Sequence, residues 1–162
     1  MVHGTKRGFA MKVILFSDSH GATQPMLDAV KRESPDLILH LGDYTDDCEA
    51  LRRAFPLIAL KSVKGNGDPF APEPETDTFT VEGVTFFITH GHRYRVKMGL
   101  EAVLNAAYFS KARVLAFGHT HRPLLDEQDE LLVINPGSAY NKKYAVLQVE
   151  HGGVTGRLCT LR

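Results

Sequence analysis

A chain of 162 residues with 43% hydrophobic content fits one domain with a substantial buried core. Nineteen Lys and Arg balance nineteen Asp and Glu, so bulk charge offers no attraction to nucleic acid or to an anionic membrane, and any phosphate affinity must be local. Cys48 and Cys159 lack the spacing of a thiolate zinc site or a disulfide framework, and read as free thiols in a reducing compartment.

The longest early apolar run, Val13 to Phe16, is too short for a membrane span or a signal-peptide core, which predicts a cytoplasmic protein. Residues 1–10 show little apolar periodicity. They read either as a loose tail or as a segment ahead of a natural start at Met11, with residues 11–162 forming a single domain. Lys12 to Phe16 is a β-branched and aromatic run that breaks into Ser17-Asp18-Ser19-His20-Gly21, as buried parallel strands do at their carboxyl ends. Thr23 is placed to cap a helix that has Pro25 in its first turn and stops at Ser34-Pro35. Leu37 to Leu41 is the next strand, and Gly42 to Asp47 caps a second helix reaching about Phe55.

A third strand, Leu57 to Val63, ends in the turn-rich Lys64-Gly65-Asn66-Gly67-Asp68-Pro69, and an exposed connection runs from Phe70 to Asp77. Thr78 to Val81 and Val84 to Thr89 flank Glu82-Gly83 as a hairpin, which predicts a mixed sheet. Lys97 to Tyr108 is a third helix with Leu100, Val103, Leu104 and Ala107 on one face. Strands over Arg113–Phe117, Leu131–Ile134, Ala145–Val149 and Val154–Cys159 complete a strand-rich second half. The chain contains no internal repeat and no low-complexity tract.

Five loops that follow predicted strands hold the polar residues of interest: Asp18-Ser19-His20, Gly42-Asp43, Gly65-Asn66-Gly67-Asp68, His90-Gly91-His92 and Gly118-His119-Thr120-His121. Singly, each has a plain reading as a turn or a helix cap. The histidines are harder to dismiss. Of eight in the chain, His20, His90, His92, His119 and His121 fall in these loops, whereas His3 and His151 read as surface residues and His40 as a core histidine. Imidazole mixed with carboxylate suits Mn, Fe, Co, Ni or Zn better than Ca or Mg, and the candidate ligands outnumber the four of one structural zinc. Two ions sharing a carboxylate would use them all.

The ordered set Asp-x-His, Gly-Asp, Gly-Asn, His-Gly and Gly-His-x-His resembles the signature of the calcineurin-like metallophosphoesterases. The small size resembles their compact bacterial and archaeal phosphodiesterase branch, as does Asn135-Pro136-Gly137-Ser138. The resemblance covers Met11 to about Tyr140. It implies a four-layer α-β-β-α sandwich of two mixed sheets with helices outside and no cap domain. It implies a divalent-metal-dependent phosphoesterase, a phosphodiesterase in the first instance, with two cations per chain, Mn foremost. Asp18, His20 and His121 would hold one ion, Asn66, His90 and His119 the other, and Asp43 would bridge them. A water between two such ions loses its proton near neutral pH and attacks phosphorus in line.

One position departs from the pattern. Many relatives have His after the Asn, as proton donor to the leaving oxygen, whereas Gly67 follows Asn66 here. His92 is the nearest substitute as proton donor, with an orienting hydrogen bond as its alternative role; Asn66 and His92 are therefore the catalytic candidates beside the metals. Arg93, Tyr94 and Arg95 could line the substrate pocket or form a solvated face, and Lys142 and Lys143 have a weaker claim. Two rivals stand beside a phosphodiesterase: a phosphomonoesterase or nucleotidase with the same site, and a metal-binding scaffold of the kind the retromer subunit of this superfamily resembles. The expected partners are a small phosphoester and, as homodimer or homotetramer, further copies of the chain meeting at an edge such as Thr78 to Val81.

Overall fold

The computed structural model describes residues 10–162, so the tail expected before Met11 and His3 lie outside the described residues, Ala10 excepted. In chain order the elements are β1 (Met11–Phe16), α1 (Thr23–Glu33), β2 (Leu37–His40), α2 (Cys48–Ala54), β3 (Ala59–Ser62), β4 (Thr76–Val81), β5 (Val84–Thr89), α3 (Glu101–Phe109), β6 (Val114–Ala116), β7 (Leu124–Gln128), β8 (Leu131–Asn135), β9 (Lys143–Glu150) and β10 (Gly153–Thr160).

The strands form two five-stranded sheets, ordered β10-β9-β1-β2-β3 and β4-β5-β6-β8-β7. Each is mixed. In the first, β1, β2 and β3 run parallel while β9 pairs antiparallel with both β1 and β10. In the second, β5, β6 and β8 run parallel between two antiparallel edge strands, β4 and β7.

The side-chain period of two explains how one apolar run serves two cores. Val13 and Leu15 of β1 face Leu39, Phe86, Ile88, Ala116, Ile134 and Leu147 in the layer between the sheets. Ile14 and Phe16 point the other way, onto Met26, Ala29 and Val30 of α1 and Leu51 of α2. On the far side, Phe87, Leu115 and Val133 pack under Val103 and Ala107 of α3. The result is the expected α-β-β-α sandwich, and strands covered on both faces are why the runs are continuous rather than alternating.

Several boundaries differ from expectation for identifiable reasons. Thr23 does not cap α1: it is the first helical residue, and Ala22 at the cap position offers no side-chain bond. Nor does any side chain cap α2. A 3₁₀ turn, Thr45–Asp47, precedes it, and Asp47 instead accepts from the Ser19 hydroxyl (2.7 Å) and the Gly21 N–H (2.8 Å). The third strand is shorter than predicted because Leu57, beside Pro56, lies in a turn and is 98% exposed. Gly99, at φ 139°, separates a 3₁₀ turn at Val96–Met98 from α3, which therefore begins later than Lys97. The sequence reading missed β7, whose charged residues Asp126 and Glu127 hide its pairing with β8 across the turn at Asp129-Glu130. The Glu82-Gly83 hairpin is as expected, with both residues at positive φ. Among the described residues, no helix is long and apolar enough to cross a membrane.

Candidate metal centre

The carboxyl ends of β1, β2, β3, β5, β6 and β8 all lie at one rim, and the loops leaving them are stitched together by backbone bonds. Asp18 N–H donates to Gly42 O (2.9 Å), Gly118 N–H to His90 O (2.9 Å) and Ala139 N–H to Ser17 O (2.8 Å). This gathers residues far apart in sequence.

Asp18, His20, Asp43, His90, His119 and His121 converge there. Asp18 and Asp43 are 0% and 5% exposed. Asp18 Oδ1 lies 3.1 Å from His121 Nε2, 3.8 Å from His90 Nε2 and 4.0 Å from His20 Nε2, while Asp43 Oδ1 is 3.5 Å from His90 Nε2. Two groups result, Asp18-His20-His121 and Asp18-Asp43-His90, each with ligand atoms within 4.8 Å of one another. Asp18 is common to both. Asn66 stands exposed on its turn, with no side-chain partner among the described residues.

The backbone at these positions is unusual. Asp18, His20, Asp43, His119 and His121 have φ of 54°, 46°, 62°, 70° and 62°, in the left-handed region that costs non-glycine residues about 1–2 kcal/mol each. Asp and His are among the residues that tolerate it best, and such outliers cluster at functional sites.

Anchors hold this geometry. The buried Asp68 accepts four backbone N–H bonds: from Asp43 (2.8 Å) and Gly65 (2.9 Å) on Oδ2, and from Tyr44 (2.7 Å) and Thr45 (3.1 Å) on Oδ1. It thus locks the Asp43 loop to the Asn66 loop. Gly67 N–H donates to Asp43 Oδ1 (2.8 Å). The Ser17 hydroxyl and the His119 N–H (3.1 Å) both donate to Asp18 Oδ2. Asn135 Nδ2 donates to Gly118 O (3.0 Å) and Thr120 Oγ1 (3.1 Å), and the Ser138 hydroxyl to Asp18 O (2.8 Å). Two glycines are obligatory for clearance: a Cβ at Gly65 would collide with Asp43 Oδ1, and one at Gly118 with Ser17 Oγ. Sequence reasoning did not assign Asp68, Ser17 or Asn135 a role, because each reads as a turn residue or a strand end; only the density of Asp and Gly around position 68 hints at it.

The imidazoles are set as lone-pair donors. His90 Nδ1–H donates to Leu41 O (2.8 Å), leaving the Nε2 lone pair toward the carboxylates, which is how outer-shell carbonyls orient ligating histidines. His119 Nδ1 lies 3.2 Å from that Nε2. Two nitrogens bound to one ion at about 2.1 Å are separated by roughly 3.0–3.4 Å, so the spacing fits a shared cation. His20 Nε2 is buried without a hydrogen-bond partner. Burial, the His90 imidazole and Lys97 push the His119 pKa down to about 4, keeping it neutral.

Most telling is what the carboxylates lack. Buried Glu33 is neutralised by Arg157 (2.6 Å), with the Tyr144 hydroxyl (2.6 Å) and Lys12 (3.6 Å) beside it. Asp18 and Asp43 have only imidazoles as ion-pair partners among the described residues. Buried charge without a countercharge is costly, and a divalent cation held by oxygen and neutral imidazole resolves it. The donor set fits such an ion.

Of the other candidates, His92 is half-buried, its ring 5.5 Å from His90 and 6.2 Å from His119, with Nδ1 buried and unpartnered. Arg93 is paired with Glu75 through Nη2 (2.9 Å) and Nε (3.0 Å), and Tyr94 sets its ring edge-on to Phe87. His40 is a core residue: Nδ1 accepts from Gly42 N–H (3.2 Å), and Nε2 donates to Ser19 Oγ (2.9 Å).

The fold and the rim of histidines and carboxylates define an α-β-β-α sandwich with a candidate metal site, and the comparisons narrow the class. Residues 11–152 match the family model of the calcineurin-like phosphoesterase superfamily domain, and the chain belongs to that family. It is 33% identical over 156 residues to the probable metallophosphoesterase YsnB of Bacillus subtilis, covering 91% of this chain and 89% of that one. It is 28% identical over 145 residues to a phosphodiesterase of Methanocaldococcus jannaschii, covering 78% and 83%. A crystal structure of a conserved Streptococcus pneumoniae protein, described as a predicted phosphoesterase, shares the fold with a TM-score of 0.77 at 23% identity, over 93% and 90% of the two chains.

Two predictions follow from these anchors and charges. Asp68→Ala strands four N–H groups and is expected to weaken Mn binding about 10- to 100-fold, with Asp68→Asn intermediate; calorimetric metal titration of the folded variants checks this. The second concerns His40, whose pKa burial lowers from 6.5 to about 4. The unfolded chain then binds the extra proton between these values, so stability is full above about pH 6.5 and falls as pH drops toward 4, by about 3 kcal/mol from this residue. Urea unfolding in chelator across that range tests it; a flat midpoint would contradict it.

Proposed function

We propose that the protein is a divalent-metal-dependent phosphodiesterase with two cations at the rim described above. The observation that carries this reading is the pair of buried carboxylates, Asp18 and Asp43, ringed by imidazoles and without a Lys or Arg countercharge among the described residues. Asp18, His20 and His121 would hold one ion, and Asn66, His90 and His119 the other, with Asp43 between them and Asp18 Oδ1 within reach of both histidine sets. Mn is the foremost candidate, with Ni, Fe, Co and Zn fitting the same donors. Bound there, the cations contribute acidified water and positive charge for the phosphoryl oxygens.

The chain's own residues supply orientation. The Leu41 carbonyl fixes the His90 tautomer, Asp68 fixes the Asp43 loop, and the Ser17 hydroxyl and His119 N–H fix Asp18 Oδ2. His92 is the side chain for the leaving oxygen, with Nδ1 free of internal bonds. Burial and then the neighbouring His90 lower its pKa, so its protonated form is scarce at neutral pH. It is a weak acid catalyst at best, and leaving groups that depart with little protonation are favoured. Arg93 could meet phosphate only by releasing Glu75, which leaves it and Tyr94 a secondary part.

The test is hydrolysis of bis(4-nitrophenyl) phosphate with added Mn, beside elemental analysis. About two metals per chain are expected, with kcat/KM falling roughly a hundredfold or more in Asp43→Ala and His119→Ala. An aryl diester should be cleaved much faster than an alkyl one; equal rates contradict the leaving-group argument. Activity confined to monoesters would select the phosphomonoesterase instead, and a metal-loaded protein inert on all phosphoesters the scaffold.

A further inference from the structure

The phosphoesterase reading leaves a neighbouring cleft unused. A cavity of about 600 Å³ is walled by Val96, Leu100, Phe117 and Leu124, with two cations, Lys97 and Arg122, among its lining residues. It adjoins the metal centre through Thr120, which lines it and sits between His119 and His121. Lys97 follows the His90-His92 loop and Arg122 follows His121, so the segments that bring the imidazoles together also bring these charges to one cleft.

What sets the two cations apart is that both line one cleft beside the metal centre, since Lys31, Lys64, Arg95 and Lys111 are likewise without a carboxylate partner among the described residues. Several cations elsewhere are paired. Arg93 is matched by Glu75, Arg157 by Glu33 and Lys61 by Asp77. Lys97 and Arg122 have no carboxylate partner among the described residues. Thr120 Oγ1 already accepts from Asn135 Nδ2 and the Arg122 N–H, which leaves its hydroxyl hydrogen free to donate. An aliphatic wall beside two unmatched cations and a free donor is a surface for a group with an apolar face and a negative charge. The size lies within the range of about 300–1,000 Å³ that takes small organic ligands. With no net positive charge on the chain, a long polyanion is not the fitting ligand.

Resting on the phosphodiesterase reading, we infer that this cleft binds the organic group of the substrate, and that the substrate class is a small ring-bearing phosphodiester, such as a nucleotide ester, carrying a second phosphate that Lys97 and Arg122 receive. The scissile phosphate lies at the histidine rim, the ring against Val96, Leu100 and Leu124, and the second phosphate between the two cations. Arg122 can grip it with two parallel N–H bonds, Lys97 as a point charge.

The experiment compares thymidine 5′-(4-nitrophenyl phosphate) with and without a 3′-phosphate, which have the same leaving group and the same scissile bond. The Mn-loaded wild-type protein is expected to favour the 3′-phosphorylated ester by about tenfold in kcat/KM, mainly through KM, since two exposed ion pairs are each worth a few-fold. In Lys97→Met/Arg122→Met the ratio is expected to approach one. Because the ratio is internal to each enzyme, partial loss of metal or folding cancels out of it, and the single variants serve should the double variant not fold. A wild-type ratio near one overturns the inference, as does a ratio that survives both substitutions. Failure to cleave these esters and bis(4-nitrophenyl) phosphate alike overturns the phosphodiesterase reading itself.

Discussion

Two carboxylates removed from water, with no cation among the described residues to match them, set the terms for the rest of the molecule. An uncompensated buried carboxylate costs several kcal/mol unless it is neutralised or fully hydrogen-bonded. Glu33 displays the ordinary solution. Burial alone would raise its pKa, but bonds from Arg157 and Tyr144, with the Lys12 charge, outweigh burial and hold it below the usual range. Asp18 and Asp43 receive hydroxyl and backbone N–H donors but, among the described residues, no guanidinium or ammonium. The charge deficit is therefore a built feature of the rim, and its match is a divalent cation.

Holding that deficit open requires structure elsewhere. Five of the converging residues have left-handed backbone, which a flexible loop would relax. The loops cannot relax because Asp68, Asn135 and Ser138 accept or donate across them, and because Gly65 and Gly118 allow backbone contact with Asp43 and Ser17 that any Cβ would prevent. The sandwich beneath supplies the rigidity: parallel strands buried on both faces fix where their carboxyl ends lie, and thus where each loop starts. Fold stability and site geometry are linked through those few polar bonds rather than through the core alone.

Much of this was legible in the sequence, for a physical reason. Continuous apolar runs ending in Asp, Gly and His mark the ends of buried parallel strands and put Asp18, Asp43, His90 and His119 on loops at those ends, while the four layers came from the family resemblance. Less visible were features that depend on three-dimensional closure. Asp68 reads as one more turn residue, and nothing local says that four N–H groups from two loops end on it. The strand β7 is too charged to announce itself, since only its pairing with β8 makes it a strand. For Arg93, a pocket and a solvated face stayed open in the sequence because its partner, Glu75, belongs to a different loop. Helix caps failed likewise: Asp47 has the right chemistry for a cap, yet its carboxylate turns to Ser19 and Gly21, where it fixes the loop carrying Asp18 and His20.

The departure at Gly67 gains a structural meaning in this setting. A Cβ there would lie 3.1 Å from Asp43 Oδ1, and the Gly67 N–H already donates to that oxygen, so the position serves the carboxylate with its backbone. Under the proposed function, proton delivery to the leaving group would fall to His92, which sits on the opposite loop beside His90 and whose pKa burial lowers. On that reading the ester would have to leave with little protonation. The neighbouring cleft, with Lys97 and Arg122 unmatched, offers a different lever: binding energy from a remote charged group can hold the scissile bond in line and lower the barrier without any proton donor. Selectivity would then come from what the rest of the substrate carries, not from the bond that is cut.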